Sequence, residues 1–110
     1  MKDQFAKKRS VETHASEILD ALGSTDNVKS MTLKLVKMAS QYDILESNNT
    51  LGEAAGLVYI AGILTNHPNT LVVIAEKAGI SPETVRKFKT HLASELKTKK
   101  EWPGLPPKGK

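Results

Sequence analysis

The chain has 110 residues, which fits one domain with a continuous apolar core. It lacks cysteine, which excludes disulfides and thiolate zinc sites, and no apolar run approaches the roughly 18–20 residues of a membrane span. The net charge is +4, and its positive excess lies at one end: residues 1–81 carry eight Lys/Arg and nine Asp/Glu, whereas residues 82–110 carry eight and three.

The first segment of the chain is charged and has no apolar stretch behind it, so we expect no signal peptide and a soluble, intracellular protein. We assign residues 1–10 to a basic N-terminal extension and residues 11–98 to the folded domain. A first helix over about residues 11–22 and a second over about 27–42 follow from apolar stripes with a spacing of three to four. The predicted inward-facing residues are Val11, Ala15, Ile18, Leu19 and Leu22, then Val28, Met31, Leu35, Met38 and Tyr42.

The third predicted helix, over about residues 50–65, is apolar around its whole circumference. It is too short to cross a bilayer, so we expect it at the centre of a bundle, enclosed by the other helices. Thr50 and Glu53 have the spacing of a capping box at its start. Glycine inside a helix costs about 1 kcal/mol, and we expect Gly56 and Gly62 to be tolerated because neighbouring helices approach closely there.

The last two predicted helices are joined by a tight turn. Thr70 caps a short helix, and Gly79 supplies a positive-φ turn after it. The next helix begins with Ser81 at the cap and Pro82 at the first helical position. Residues 99–110, rich in proline, glycine and lysine, are predicted to form a flexible tail.

The segment at residues 74–86, IAEKAGISPETVR, has the form of a helix-turn-helix, which we place over about residues 70–97. Ala75 is small where the two helices cross, and the front of the last helix is left exposed to enter a major groove. The basic C-terminal quarter is an electrostatic footprint for a polyanion, and a solvated lysine tail explains the charge equally well. The motif favours DNA binding over a helical corner that serves packing alone.

The predicted DNA-contacting side chains lie on that exposed front. Arg86 can pair bidentately with a guanine edge, and Thr84 can meet a thymine methyl group or a phosphate. Glu83 can accept a hydrogen bond from cytosine or serve the helix dipole. The complete predicted set is Glu83, Thr84, Arg86, Lys87, Lys89 and Thr90, with His91 at its edge.

Three stretches of the chain, GEAAGLVYIAGILT at residues 52–65, IAEKAGIS at 74–81 and TVR at 84–86, resemble the second cyclin-type repeat of archaeal transcription factor B. That protein is the homologue of eukaryotic transcription factor IIB. The resemblance covers about residues 11–96 and is strongest over the third to fifth helices. It implies an all-α, five-helix cyclin-like fold whose last two helices form the helix-turn-helix.

The resemblance also implies a function and partners. Such a domain reads double-stranded promoter DNA upstream of the TATA box together with TATA-binding protein, with RNA polymerase as a further partner. Base-reading positions would map onto Glu83, Thr84 and Arg86, with Lys87 and Lys89 near phosphates. An archaeal member would lie in the cytoplasm with the nucleoid, and a eukaryotic one in the nucleus.

The chain departs from that family in having one repeat and no zinc ribbon, so we expect either an excised C-terminal domain or a short relative. Two other functions stay open: a stand-alone helix-turn-helix regulator and a cyclin-like protein-interaction module without DNA contact. We expect no enzyme, because no catalytic constellation is apparent. Neither a cofactor nor a metal is expected, since His14, His67 and His91 share no ligand spacing.

Overall fold

In a computed structural model the chain forms five α-helices, as the sequence predicts. The structure describes residues 4–45 and 48–104, and of residues 4 and 5 only the backbone. Within these residues there is no strand, and no helix is long and apolar enough to cross a membrane. The helices are α1 (Gln4–Leu22), α2 (Asp26–Gln41), α3 (Thr50–Leu64), α4 (Leu71–Ala78) and α5 (Pro82–Leu96).

Helix α3 is the centre of the fold, as its uniformly apolar sequence predicts. Eleven of its 15 residues are buried, and it packs against each of the other four helices. Helices α1 and α2 pack against each other and against α3, whereas α5 packs mainly on α3 and α4. Among the described residues α1 and α5 share no contact, and α3 packs against both of them.

Two glycines on α3 allow α5 to cross it at close range. A methyl group added at Gly56 would lie 3.0 Å from the backbone nitrogen of Lys89, and one added at Gly52 would lie 2.5 Å from the Phe88 ring. The predicted close helix approach is therefore confirmed at Gly56. At Gly62 the close neighbour is the carbonyl oxygen of His67, at 2.9 Å, which belongs to the following loop and not to a helix.

The ends of two helices differ from the prediction. Helix α1 begins at Gln4, so the described part of the predicted N-terminal extension is its first turns. Residues 4–10 contain no helix breaker, and the charged side chains are themselves good helix formers. Helix α3 is capped by Asn49, whose Oδ1 accepts a hydrogen bond from the Gly52 amide at 2.8 Å; the predicted capping box, starting at Thr50, is therefore wrong.

The predicted inward faces of α1 and α2 are largely confirmed. Seven of their ten residues are buried, and Leu22, Met31 and Tyr42 are half-buried. Helix α2 also buries Thr32, whose hydroxyl donates to the Val28 carbonyl oxygen at 2.8 Å. This local hydrogen bond satisfies a polar group that would otherwise be costly to bury.

The described residues after α5 fold back on α2. The Tyr42 hydroxyl donates a hydrogen bond to the Glu101 carboxylate, and the Lys99 ammonium lies 5.0 Å from the Tyr42 ring centroid. Trp102 is half-buried and packs against the core. Residues 99–102 of the predicted tail therefore contact the folded domain, and residues 105–110 lie outside the described residues.

Candidate nucleic-acid interface

The turn between α4 and α5 has the conformation that the motif predicts. Gly79 has a φ of 75° and a ψ of 30°, the left-handed region that only glycine adopts readily. Its amide and that of Ile80 both donate to the carbonyl oxygen of Ala75, at 2.8 and 3.0 Å. These bonds satisfy the end of α4 and direct the chain into α5.

Both helices of the motif begin at the predicted caps. The Thr70 hydroxyl accepts from the Val73 amide at 3.1 Å, and the Ser81 hydroxyl accepts from the Thr84 amide at 3.2 Å. Pro82 occupies the first helical position of α5, where no intrahelical amide bond is lost. The start of α5 is therefore fixed by local chemistry.

One face of α5 is anchored in the core and the opposite face is open. Val85, Leu92 and Leu96 are fully buried. On the opposite side, a shallow depression, here called the α5 front, contains five of the six predicted contact residues together with His91. It is lined by Glu83, Thr84, Arg86, Lys87, Thr90 and His91.

Two local interactions organise the α5 front. The Arg86 guanidinium lies 3.7 Å from the Glu83 carboxylate, and both side chains are more than half exposed. An exposed ion pair of this kind contributes little to stability, so it leaves the guanidinium available to a stronger anion. The Thr84 hydroxyl lies 2.9 Å from that of Ser81 and is thus shared with the helix cap.

Lys89, the sixth predicted residue, does not line the α5 front. It is half-buried, and its ammonium lies 5.4 Å from the ring centroid of Tyr59 on α3. This places it on the flank of α5 that meets α3, beside the close approach at Gly56. Among the predicted cations, Arg86 and Lys87 are the ones that the structure brings together on the front.

The sequence prediction did not include one exposed apolar residue in the motif, Val72 on α4. Its side chain is 62% exposed, in contrast to the buried Ile74 and Ala75 of the same helix. The sequence signal for this exposure is the position of Val72 outside the inward-facing stripe of α4. For metals, the described residues contain no group of three His, Asp or Glu side chains that could hold an ion.

Comparison with known proteins gives a consistent set of relatives. No protein-family model matches the chain. The chain is 30% identical over 76 residues to transcription initiation factor IIB of Archaeoglobus fulgidus, covering 69% of this chain and 23% of that protein. It is 29% identical over 84 residues to the factor of Sulfurisphaera tokodaii, covering 76% and 27%.

A third relative, transcription initiation factor IIB 1 of Thermoplasma volcanium, is 26% identical over 86 residues, covering 78% of this chain and 28% of the relative. The chain thus spans about a quarter of the length of these proteins. Their names are those of a transcription initiation factor and not of an enzyme, in agreement with the prediction that this chain is not an enzyme.

Proposed function

Because the chain is a distant homologue of transcription initiation factor IIB, we propose that it is a promoter-recognition domain that binds DNA upstream of the TATA box. In this proposal it corresponds to the second cyclin-like repeat, and α5 is the recognition helix. Its partners are double-stranded promoter DNA, TATA-binding protein and, through the assembled complex, RNA polymerase.

The observation that carries the proposal is the α5 front. Arg86 and Lys87 stand together on an exposed helix face whose opposite side is buried in the core. A side chain can read a base edge only if its helix is held at a fixed position, and the buried residues supply that rigidity. Arg86 has the planar donor geometry to recognise guanine, and Lys87 a point charge suited to phosphate.

The need for a partner follows from the small number of cations on the front. Each phosphate contact contributes to affinity by releasing counterions, and this front offers Arg86 and Lys87 with His91 beside them. A domain with so few contacts binds DNA weakly, and its affinity falls as salt rises with a slope set by that small number of contacts. We therefore expect useful affinity when TATA-binding protein holds the same DNA and raises the effective concentration.

The experiment is a binding titration of the labelled duplex, TATA box plus upstream element, with and without an archaeal TATA-binding protein. The titration is repeated with the upstream element scrambled and over a series of about 50 to 200 mM salt. Cooperative binding that is lost on scrambling supports the proposal. Binding that ignores both partner and sequence would favour a stand-alone regulator, and no binding at low salt would favour a protein-interaction module.

A further inference from the structure

A second basic surface lies away from the helix-turn-helix, between α1 and α2. It is a shallow groove, here called the α1–α2 groove, with three lysines and one glutamate. That carboxylate, on Glu12, already lies 3.7 Å from the Lys8 ammonium. The groove is lined by Lys8, Glu12, Ser30, Leu33, Lys34 and Lys37.

Counting charge along the chain conceals this surface, because residues 1–81 are slightly acidic in total. The folded chain brings Lys8 of α1 beside Lys34 and Lys37 of α2. Asp20, near the other end of α1, pairs with Lys29 at 3.5 Å, whereas Lys34 and Lys37 have no carboxylate partner among the described residues. Both of these lysines are exposed, so the groove presents positive charge that is not neutralised within the described fold.

The groove also carries an exposed apolar side chain. Leu33 is 45% exposed. In the described part of the chain, the exposed large apolar residues are Leu33 and Val72. A neighbouring depression shares Ser30 and Lys34 with the groove and adds the half-buried Met31. The groove therefore combines lysines with the exposed apolar side chain of Leu33, and Met31 lies in the adjoining depression.

This combination fits an acidic protein segment better than a nucleic acid. A DNA backbone presents charged phosphates between its sugars, and gains less from covering Leu33 than an apolar side chain does. A peptide with carboxylates on either side of an apolar residue would pair with the lysines and cover the leucine at once. The groove shares no lining residue with the α5 front, so the two surfaces are distinct.

We infer that the α1–α2 groove is a docking site for an acidic segment of a partner protein, with an apolar residue of that segment seated on Leu33. Residues 30–37 rise about 10 Å along α2, which matches three or four residues of an extended peptide. The expected motif is an apolar residue flanked by Asp or Glu. This inference does not depend on the proposed promoter recognition.

The probe is a short fluorescein-labelled peptide of tandem Asp-Leu-Asp-Ser repeats, titrated into the full chain with anisotropy as the readout. Its matched control replaces every leucine by serine and keeps the charge. Amide chemical shifts of the ¹⁵N-labelled chain locate the peptide. We expect the leucine peptide to bind more tightly than its control and to shift amides of α1 and α2.

Substitutions on the groove test the contacts one at a time. Lys34→Glu with Lys37→Glu should weaken binding about ten-fold, whereas Lys97→Glu with Lys100→Glu makes the same change in net charge elsewhere and should have little effect. Leu33→Ser should weaken binding about three-fold. Glu12→Gln should tighten it about two-fold, since it removes a like charge and releases Lys8.

Four results would overturn the inference, and none depends on a variant that fails to fold. They are no peptide binding at low salt, equal binding of the serine control, peptide-induced shifts confined to α5, and equally strong shifts of α1 and α2 amides with a random-sequence DNA duplex. The last result would identify the groove as a nucleic-acid surface.

Discussion

Helices α3 and α5 have the same length, 15 residues each, but they use their side chains in opposite ways. Helix α3 buries eleven residues on all sides, whereas α5 buries three and exposes the face that carries Arg86 and Lys87. The two helices meet where Gly56 faces the backbone of α5. The difference indicates that the position of the exposed helix is set by the buried one, and the first two predictions below test that dependence.

The largest expected effect comes from filling the crossing. A single methyl group added at Gly56 would already lie 3.0 Å from the α5 backbone. The larger side chain in Gly56→Val therefore forces the two helices apart. We expect a loss of about 2–3 kcal/mol in the free energy of unfolding, measured by urea denaturation, together with weaker DNA binding.

Gly52→Val is the matched control for that change, because the close neighbour of Gly52 is the Phe88 ring, which can turn away. It should cost less than Gly56→Val. Equal losses at the two positions would contradict the view that backbone contact at Gly56 fixes α5.

A smaller effect is expected at the turn before α5. Gly79→Ala forces a side chain into a φ of 75° and should cost about 1–2 kcal/mol, although no neighbouring atom lies within 4 Å of the added methyl group. Gly23→Ala is matched to it, with a φ of 66° and equally open space at the end of α1.

Both variants should show a similar decrease in stability when it is measured by thermal denaturation. DNA binding should fall further in Gly79→Ala, because that turn aims α5, whereas Gly23 lies outside the motif. If both variants bind DNA equally well after correction for the folded fraction, the turn does not position the front.

A third prediction separates the front of α5 from its flank. Lys87→Ala should weaken DNA binding for every sequence and reduce the slope of log affinity against log salt by about one. Lys89→Ala should change that slope less, because its ammonium lies over Tyr59, 5.4 Å from the ring centroid. Salt-dependent titrations of the two variants provide the measurement, and a larger slope change for Lys89 would place the DNA on the flank.

The smallest effect concerns the contact between the end of the chain and α2, far from the α3–α5 crossing. The hydrogen bond from Tyr42 lowers the pKa of Glu101 below its usual 4.5 and raises the pKa of Tyr42 above its usual 10.0. The bond therefore stabilises the fold at pH values between the lowered pKa of Glu101 and the raised pKa of Tyr42. Its contribution is lost as pH falls through the lowered pKa of Glu101, and also as pH rises through the raised pKa of Tyr42.

Tyr42→Phe removes the hydroxyl and keeps the ring beneath Lys99. We expect a slightly lower urea midpoint than that of the unsubstituted chain at pH 7, and a difference that shrinks at pH values below the Glu101 pKa. A constant difference down to strongly acidic pH would show that the carboxylate is not the partner that matters.

The sequence predicts the features that depend on local chemistry. The caps at Thr70 and Ser81, the left-handed Gly79 and the central position of α3 are all confirmed. The predicted cap of α3 is one residue off, because Asn and Thr are both good caps and the amide side chain of Asn49 accepts the Gly52 bond.

The remaining features depend on how the helices are placed in space. The contact between Lys89 and Tyr59 depends on how α5 packs on α3, although the spacing of four from Val85 and three from Leu92 already turns Lys89 toward the buried side. A charge count along the chain does not detect the α1–α2 groove, because Lys8 lies far in sequence from Lys34 and Lys37. The packing of Trp102 likewise depends on a core surface that exists only in the folded domain.

The most direct test of the account compares two double substitutions of equal charge. Arg86→Ala with Lys87→Ala removes two cations from the α5 front, and Lys34→Ala with Lys37→Ala removes two from the α1–α2 groove. Both are titrated against the TATA-plus-upstream duplex in the presence of TATA-binding protein. The account predicts at least a ten-fold loss, about 1.4 kcal/mol, for the first pair and little change for the second; equal losses would contradict it and assign the binding to net charge alone.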